Sequence, residues 1–319
     1  MLQFLARRLL LIIPILLLVS LMVFSLIHLI PGDPATVILG PEASKEVVEA
    51  LRQKMGLDRP IYIQYLSWVW KILRGDLGRS LVDNKPVVEL IGQRLPATLE
   101  LAAGAFFFSL LIAIPAGILA AVKKGTLLDY GSTVLAVSGL SIPHFWLGMM
   151  FILFFALLLG WLPASGYVEP WVDLKQNLRS MILPIAATGL REAAVVTRML
   201  RSSLLEVLKA DYIRTARAKG LAGQMVIFGH ALKNALIPVV TVSGLQVASL
   251  LGGLVITETI FQIPGLGRLL VDSIFNRDFT TVQGAVLLSA VMVIGVNLLV
   301  DISYSFLDPR IKLARGTGR

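Results

Sequence analysis

The sequence contains no cysteine, three histidines among its 319 residues, and charged side chains at 15% of positions. Without cysteine there is no disulfide framework, no thiolate nucleophile and no sulfur-ligated metal. His28, His144 and His230 are too far apart in sequence to suggest a metal cluster, and neither an HExxH run nor a GxxxxGK[ST] loop occurs. The chain is therefore read as having no catalytic residue, no metal ligand and no cofactor of its own. Scarcity of charge is the more informative deficit, because soluble domains carry about a quarter charged residues. Here 56% of residues are hydrophobic and mean hydropathy is +0.80, which marks a polytopic membrane protein. Its length accommodates about six helices of the roughly 20 residues that a bilayer core requires, with loops but no separate catalytic domain.

Arg7 and Arg8 precede an apolar run from Leu9 to Ile30 that is too long for a signal peptide and ends in Pro31-Gly32-Asp33-Pro34 without a small-residue cleavage pattern. It is read as an uncleaved first transmembrane helix, residues 1–30, bent near Pro14. Residues 31–96 form an extracytoplasmic loop region with short surface helices at Ala43 to Lys54 and Tyr62 to Ile72, punctuated by Gly, Asp and Pro. Tyr62, Tyr65, Trp68 and Trp70 suit either a membrane interface or a small packed core. Residues 97–319 form the remaining five-helix transmembrane core. Its spans are expected at Thr98 to Val122, Val134 to Leu159, Met181 to Val196, Ile237 to Thr257 and Val282 to Phe306, with Pro115, Pro143, Pro184 and Pro238 near or within them. The fold class is thus an all-α membrane protein with six transmembrane helices.

Lysine and arginine in the short loops set the orientation. With the N-terminus inside, the inner loops and termini carry sixteen such residues and the short outer loops four, the long first outer loop holding nine more. Both termini are therefore expected to be cytoplasmic. The net charge of +9 is then an inside bias that attracts anionic lipid. The basic residues are scattered and no recognition module is visible, so nucleic acid is not an expected partner.

Ionisable residues near the spans are few. Glu258 and Asp301 are candidates for a substrate path or gate, since charge within a bilayer is costly and usually functional; interfacial solvation or a helix-end ion pair is the plainer alternative. Gly139-Leu140-Ser141 with His144 nearby suggests an intramembrane serine hydrolase only weakly, because the second glycine of a nucleophile elbow is missing and Ser141-Ile142-Pro143 reads better as a helix start.

The long polar interval from Glu206 to Thr241 is where the second half of the chain can be addressed from outside. Tyr212, Ala216 and Gly220 fall at i, i+4 and i+8, a ridge tapering to nothing that suits a partner's groove. Arg214, Arg217 and Lys219 flank it as donors for carboxylates, and Gly220-Leu221 ends the helix. A second short helix at about Gln224 to Asn234 returns the chain to the membrane. By physics alone, an ordinary solvated loop helix fits equally well.

Asp211-Tyr212-Ile213-Arg214-Thr215-Ala216-Arg217-Ala218-Lys219-Gly220, followed by His230, Lys233-Asn234-Ala235 and Pro238, resembles the cytoplasmic coupling loop of ATP-binding-cassette (ABC) importer permeases of the dipeptide, oligopeptide and nickel family. Leu29 to Pro34, Leu95 to Glu100, Pro264-Gly265-Leu266-Gly267-Arg268 and Leu307 to Arg310 look like the first of the two permeases in such systems. The resemblance implies a type I ABC importer permease fold in a prokaryotic cytoplasmic (inner) membrane, with a coupling loop at 197–236. It implies a second homologous permease, two cytoplasmic ABC ATPases that bind ATP and Mg, and an extracytoplasmic solute-binding protein. Asp211, Tyr212, Arg214, Ala216, Arg217, Gly220, His230 and Asn234 would contact an ATPase. Asp33, Pro264, Gly265 and Arg268 would meet the binding protein. The wider importer loop begins Glu-Ala-Ala where this chain has Arg214-Thr215-Ala216, so no role of that glutamate transfers. The implied cargo is a short peptide, with nickel chelates or glutathione on the same architecture as alternatives and a stand-alone carrier or channel further off.

Overall fold

The computed structural model describes residues 2–29, 34–40 and 43–307, and Asp33 of the expected docking set lies outside them. Fourteen α-helices occupy the described residues, and their only extended pairing is an isolated bridge between Arg79 and Pro86. Five helices are long and apolar enough to cross a membrane, and a sixth crossing is made if one sharply bent pair counts as one span. The chain divides into two compact units, residues 1–98 with 264–294, and residues 99–263 with 295–319.

The first unit contains α1 (Leu2–His28), α2 (Pro34–Leu39), α3 (Lys45–Met55), α4 (Ile61–Leu73), the start of α5 (Val87–Val122), α13 (Leu266–Phe275) and the start of α14 (Phe279–Leu307). The aromatic residues of α4 divide between the two expected roles. Tyr65 and Trp68 pack on Phe24 of α1 with ring centroids at 5.3 and 5.7 Å, whereas Tyr62 and Trp70 are exposed. Gln64 donates to the Arg59 carbonyl, so its Oε1 accepts from His28 Nε2 at 3.1 Å. Val87, Leu90, Ile91, Leu266 and Leu269 form this unit's apolar core. Asp278, 4% exposed, accepts hydrogen bonds from Ser80 Oγ, the Leu81 amide, and both the amide and hydroxyl of Thr281. A buried carboxylate needs such donors, and these tie the 79–86 turn to the start of α14.

The second unit holds the rest of α5 and α14 with α6 (Leu127–Ser141), α7 (His144–Phe151), α8 (Leu174–Val207), α9 (Asp211–Ala218), α10 (Gly223–Met225), α11 (Leu232–Gly253) and α12 (Val255–Ile260). Close helix contact is made through small residues, as expected where lipid supplies no hydrophobic drive for association. A Cβ added at Gly189 of α8 would lie 2.8 Å from the Ala105 carbonyl oxygen of α5, and one at Gly117 would lie 3.0 Å from Leu200.

Four of the expected spans differ in the structure. Val134 to Leu159 is two helical pieces, α6 and α7 with its π-helical continuation Ile152–Leu158, that meet at 102°. Pro143 forces Ile142 into extended geometry (φ −83°, ψ 125°), so α6 stops and α7 starts afresh at His144. The fourth span, expected at Met181 to Val196, is longer at both ends: α8 runs for 34 residues from Leu174 to Val207, capped by Asp173, which accepts from the Gln176 amide. The helix expected at Gln224 to Asn234 is not separate from the fifth span, because α10, a π-helical stretch Val226–Ala231 and α11 run on from one another. The second span begins at Val87, well before Thr98.

The connection between α7 and α8 is ordered by polar ties. Gly166 N donates to the Phe261 carbonyl, Asn177 Nδ2 to the Val168 carbonyl, and Tyr167 to Glu100 at 2.7 Å. Burial and this carboxylate push the Tyr167 phenol well above its ordinary pKa, so it remains a donor.

Candidate functional site

The polar interval carries α9, eight residues joined to the end of α8 by Leu208, Lys209 and Ala210. Its amphipathic period decides which side chains face out. Ile213 and Ala216, three apart, are buried, and both belong to a core with Val196, Leu200, Leu204, Val226, Ala231 and Ala235. Asp211, Tyr212, Arg214, Thr215 and Arg217 are exposed. The expected ridge of Tyr212, Ala216 and Gly220 is therefore not one surface: Ala216 faces the protein interior, because the apolar stripe of α9 runs through it.

Gly220 ends this element at φ 79° with its amide donating to the Arg217 carbonyl, a backbone conformation that favours glycine. Its missing side chain leaves open space, since an added Cβ would meet nothing within 4 Å. Asn234, on α11, donates through Nδ2 to the Tyr212 hydroxyl at 2.8 Å and so joins two of the sequence-picked residues across 22 positions. Arg214 and Asp211 lie 3.3 Å apart as an exposed pair within one turn, an arrangement that contributes little to stability. His230 lies exposed in the π-helical stretch. Such wide turns inside helices recur at functional positions.

The other expected positions are dispersed. Glu258, in α12, is completely buried, and neighbouring Thr257 meets Thr188 of α8, Oγ1 to Oγ1, at 3.2 Å. Asp301, in α14, is half-buried. Pro264, Gly265 and Arg268 open α13, where the Leu266 amide is satisfied by Thr98 Oγ1 and Arg268 reaches Asp272 at 3.7 Å. Ser141 donates to the Val137 carbonyl one turn back, at the end of α6, and His144 begins α7.

The structure also assembles groups that sequence reading passed over. Arg201 of α8 grips Asp129 of α6 with two parallel bonds, Nε to Oδ1 at 2.6 Å and Nη2 to Oδ2 at 2.9 Å, while the Gly125 amide donates to Oδ2 at 2.9 Å. One signal was available: Asp129 is the only carboxylate between Glu100 and Glu169 and follows Lys123-Lys124-Gly125. Deeper in the same unit, Gln246 Nε2 donates to the Glu192 carbonyl, which turns its Oε1 away without a partner.

Residues 113–313 match the family described as "Binding-protein-dependent transport system inner membrane component", and residues 1–102 match its N-terminal companion, "Binding-prot-dependent transport system membrane comp, N-term". The chain is 45% identical to the "Dipeptide transport system permease protein DppB" of Escherichia coli K12, over 98% of this chain and 99% of that one. Identity is 44% to the protein of the same name from Alkalihalophilus pseudofirmus, over 98% and 100%. It is also 44% to the "Di/tripeptide transport system permease protein DppB" of Pseudomonas aeruginosa, over 99% and 100%. Among solved structures, the fold resembles an inward-facing methionine ABC transporter, MetNI, with a TM-score of 0.57 at 19% identity over 69% of this chain and 96% of that one. An amino acid ABC transporter gives 0.53 at 14% identity, over 68% and 94%. With an all-helical, multi-span architecture and likeness from end to end, the chain belongs to the binding-protein-dependent transport system inner membrane component family.

Proposed function

We propose that this chain is one of two homologous permease subunits in an ATP-driven importer of short peptides in a prokaryotic inner membrane. The likeness of nearly the whole chain to dipeptide permeases carries this reading. Two cytoplasmic ATPases bind and hydrolyse ATP with Mg, an extracytoplasmic protein delivers the peptide, and both termini of this chain are cytoplasmic. Helix α9 is the element seated in an ATPase. Asp211, Tyr212, Arg214, Arg217 and the Gly220 turn supply its exposed contacts, Asn234 braces Tyr212, and His230 flanks them, while Ala216 acts from inside by fixing α9 to the core. Asp33, Pro264, Gly265 and Arg268 belong to the surface that meets the binding protein, and Glu258 and Asp301 to the substrate path or gate.

The test is reconstitution of the four kinds of subunit in vesicles with a radiolabelled dipeptide outside and ATP within. Uptake that requires ATP, binding protein and this chain together is expected. Tyr212→Ala with Arg217→Glu should leave a folded chain that no longer holds the ATPase on purification. Wild-type uptake by that double variant would remove α9 from the interface. Gly220 is a poorer probe, because any side chain at φ 79° adds local strain.

A further inference from the structure

The exposed surface of α8 changes sides and character along its length. Arg191, Val195, Arg198, Ser202 and Glu206 are exposed or half-buried at spacings of four, three, four and four, and Lys209 continues the series just past the helix end. At about 100° per residue they fall within a sector of roughly 80°. Leu174, Leu178 and Ile182, the exposed large apolar residues of the outer half, lie about 100–180° around from Arg191, as lipid-facing residues would. In the inner half that same side is taken by Ala193, Val196 and Leu200, which are buried in the core. The polar stripe is thus no continuation of a lipid-facing surface.

Depth makes the stripe informative. The helix is 34 residues long, about 51 Å, and Arg191 is its eighteenth residue. A hydrocarbon core of about 30 Å, about 20 residues of helix, contains Arg191 wherever along α8 it lies. Yet the Arg191 side chain is 52% exposed, and its nearest carboxylate, Glu192, is 3.9 Å away, at the outer limit of an ion pair. A guanidinium at that depth faces water or another protein, not acyl chains. A dry interface with a second permease is disfavoured, since interface centres are depleted in charge.

We propose that the Arg191-to-Ser202 face of α8 lines a water-filled conduit, and that Arg191 and Arg198 make it a cationic track for solutes bearing a carboxylate, such as the C-terminus of a peptide. This rests on the importer reading and adds residues and a charge preference to it.

The cysteine-free sequence supplies a clean background. Val195→Cys and Ser202→Cys, with the lipid-side control Leu111→Cys, are placed singly in the reconstituted importer. They are then treated from the α9 side with membrane-impermeant methanethiosulfonates of either charge, and modification is read by mass on this chain alone. The thiols introduced at positions 195 and 202 should react at least tenfold faster than the one at position 111. The anionic reagent should exceed the cationic one about threefold after normalisation to a free thiol, and Arg191→Gln with Arg198→Gln should abolish that preference. Rates at 195 and 202 no higher than at 111 overturn the conduit. Fast reaction without a charge preference, or with one that survives both arginine substitutions, overturns the cationic track. ATP-driven uptake by the unmodified complex tests the importer reading separately, so active transport with an unreactive stripe refutes only this assignment.

Discussion

Breaking the Asp129–Arg201 clamp gives the sharpest test of how the second unit is held together. Asp129 is 4% exposed and accepts from three donors, two on the guanidinium and one on the Gly125 amide. In Asp129→Asn the single amide oxygen satisfies at most part of this set, while the new NH2 group points at a donor. Removing one partner of a buried pair costs about 3–5 kcal/mol. The Arg201 side chain is 27% exposed, so water recovers part of its solvation and we expect less, about 2–3 kcal/mol. Arg201→Gln should cost a similar amount, because it leaves the Asp129 carboxylate buried with one amide donor. The double variant should then be less destabilised than the sum of the singles, with a coupling of about 1–3 kcal/mol, as for residues in direct contact. Unfolding midpoints in mixed micelles for the four proteins of the cycle measure this. Additive single effects, each below about 0.5 kcal/mol, would mean that the clamp has no role in stability.

Two further outcomes follow from the same kind of geometry. Gly189→Val should destabilise by about 1–3 kcal/mol or more, because its Cβ meets a backbone carbonyl that cannot swing away; thermal denaturation indistinguishable from the parent would contradict the close α5–α8 approach. Asp278→Asn should cost about 1–3 kcal/mol by leaving some of its four donors unmatched, and should loosen the 79–86 turn. Limited proteolysis within that turn reads this directly, and unchanged cleavage kinetics would count against it.

Much of the architecture was legible because bilayer physics writes itself as composition. Apolar runs marked the five helices long and apolar enough to cross a membrane and the bent pair of α6 and α7, and the α3 and α4 pieces were bracketed by their glycines and prolines. What was not legible came from groups whose partners lie far along the chain. Arg191 and Glu192 lie inside α8, which runs on past the expected end at Val196: Glu192 is buried, while the Arg191 side chain is half exposed. Hydropathy averages over a helix, whereas the structure resolves its faces. Pro143 was flagged within a span, but nothing local specified a 102° turn in place of the gentler bends that helices with internal proline, such as α1, α8 and α11, accommodate. The extended geometry of Ile142 is the local cause of that difference.

The polar interval shows the same division between period and face. Spacing alone placed Tyr212 and Ala216 on one ridge, but the stripe that includes Ile213 and Ala216 is the one that meets the core. With Ala216 inside, α9 is fixed from behind and presents Tyr212 and a charged rim to whatever it meets. Only three residues separate α9 from α8, and α8 is held at Arg201 by a bidentate pair and at Gly189 by direct backbone contact with α5. A push on α9 would therefore meet a short link and a stiff helix, not a slack loop. On the importer reading, force at α9 would shift α8 as a rigid body, and with it the Arg191-to-Ser202 face, which is the two-state behaviour that mechanical coupling between ATP hydrolysis and a conduit requires.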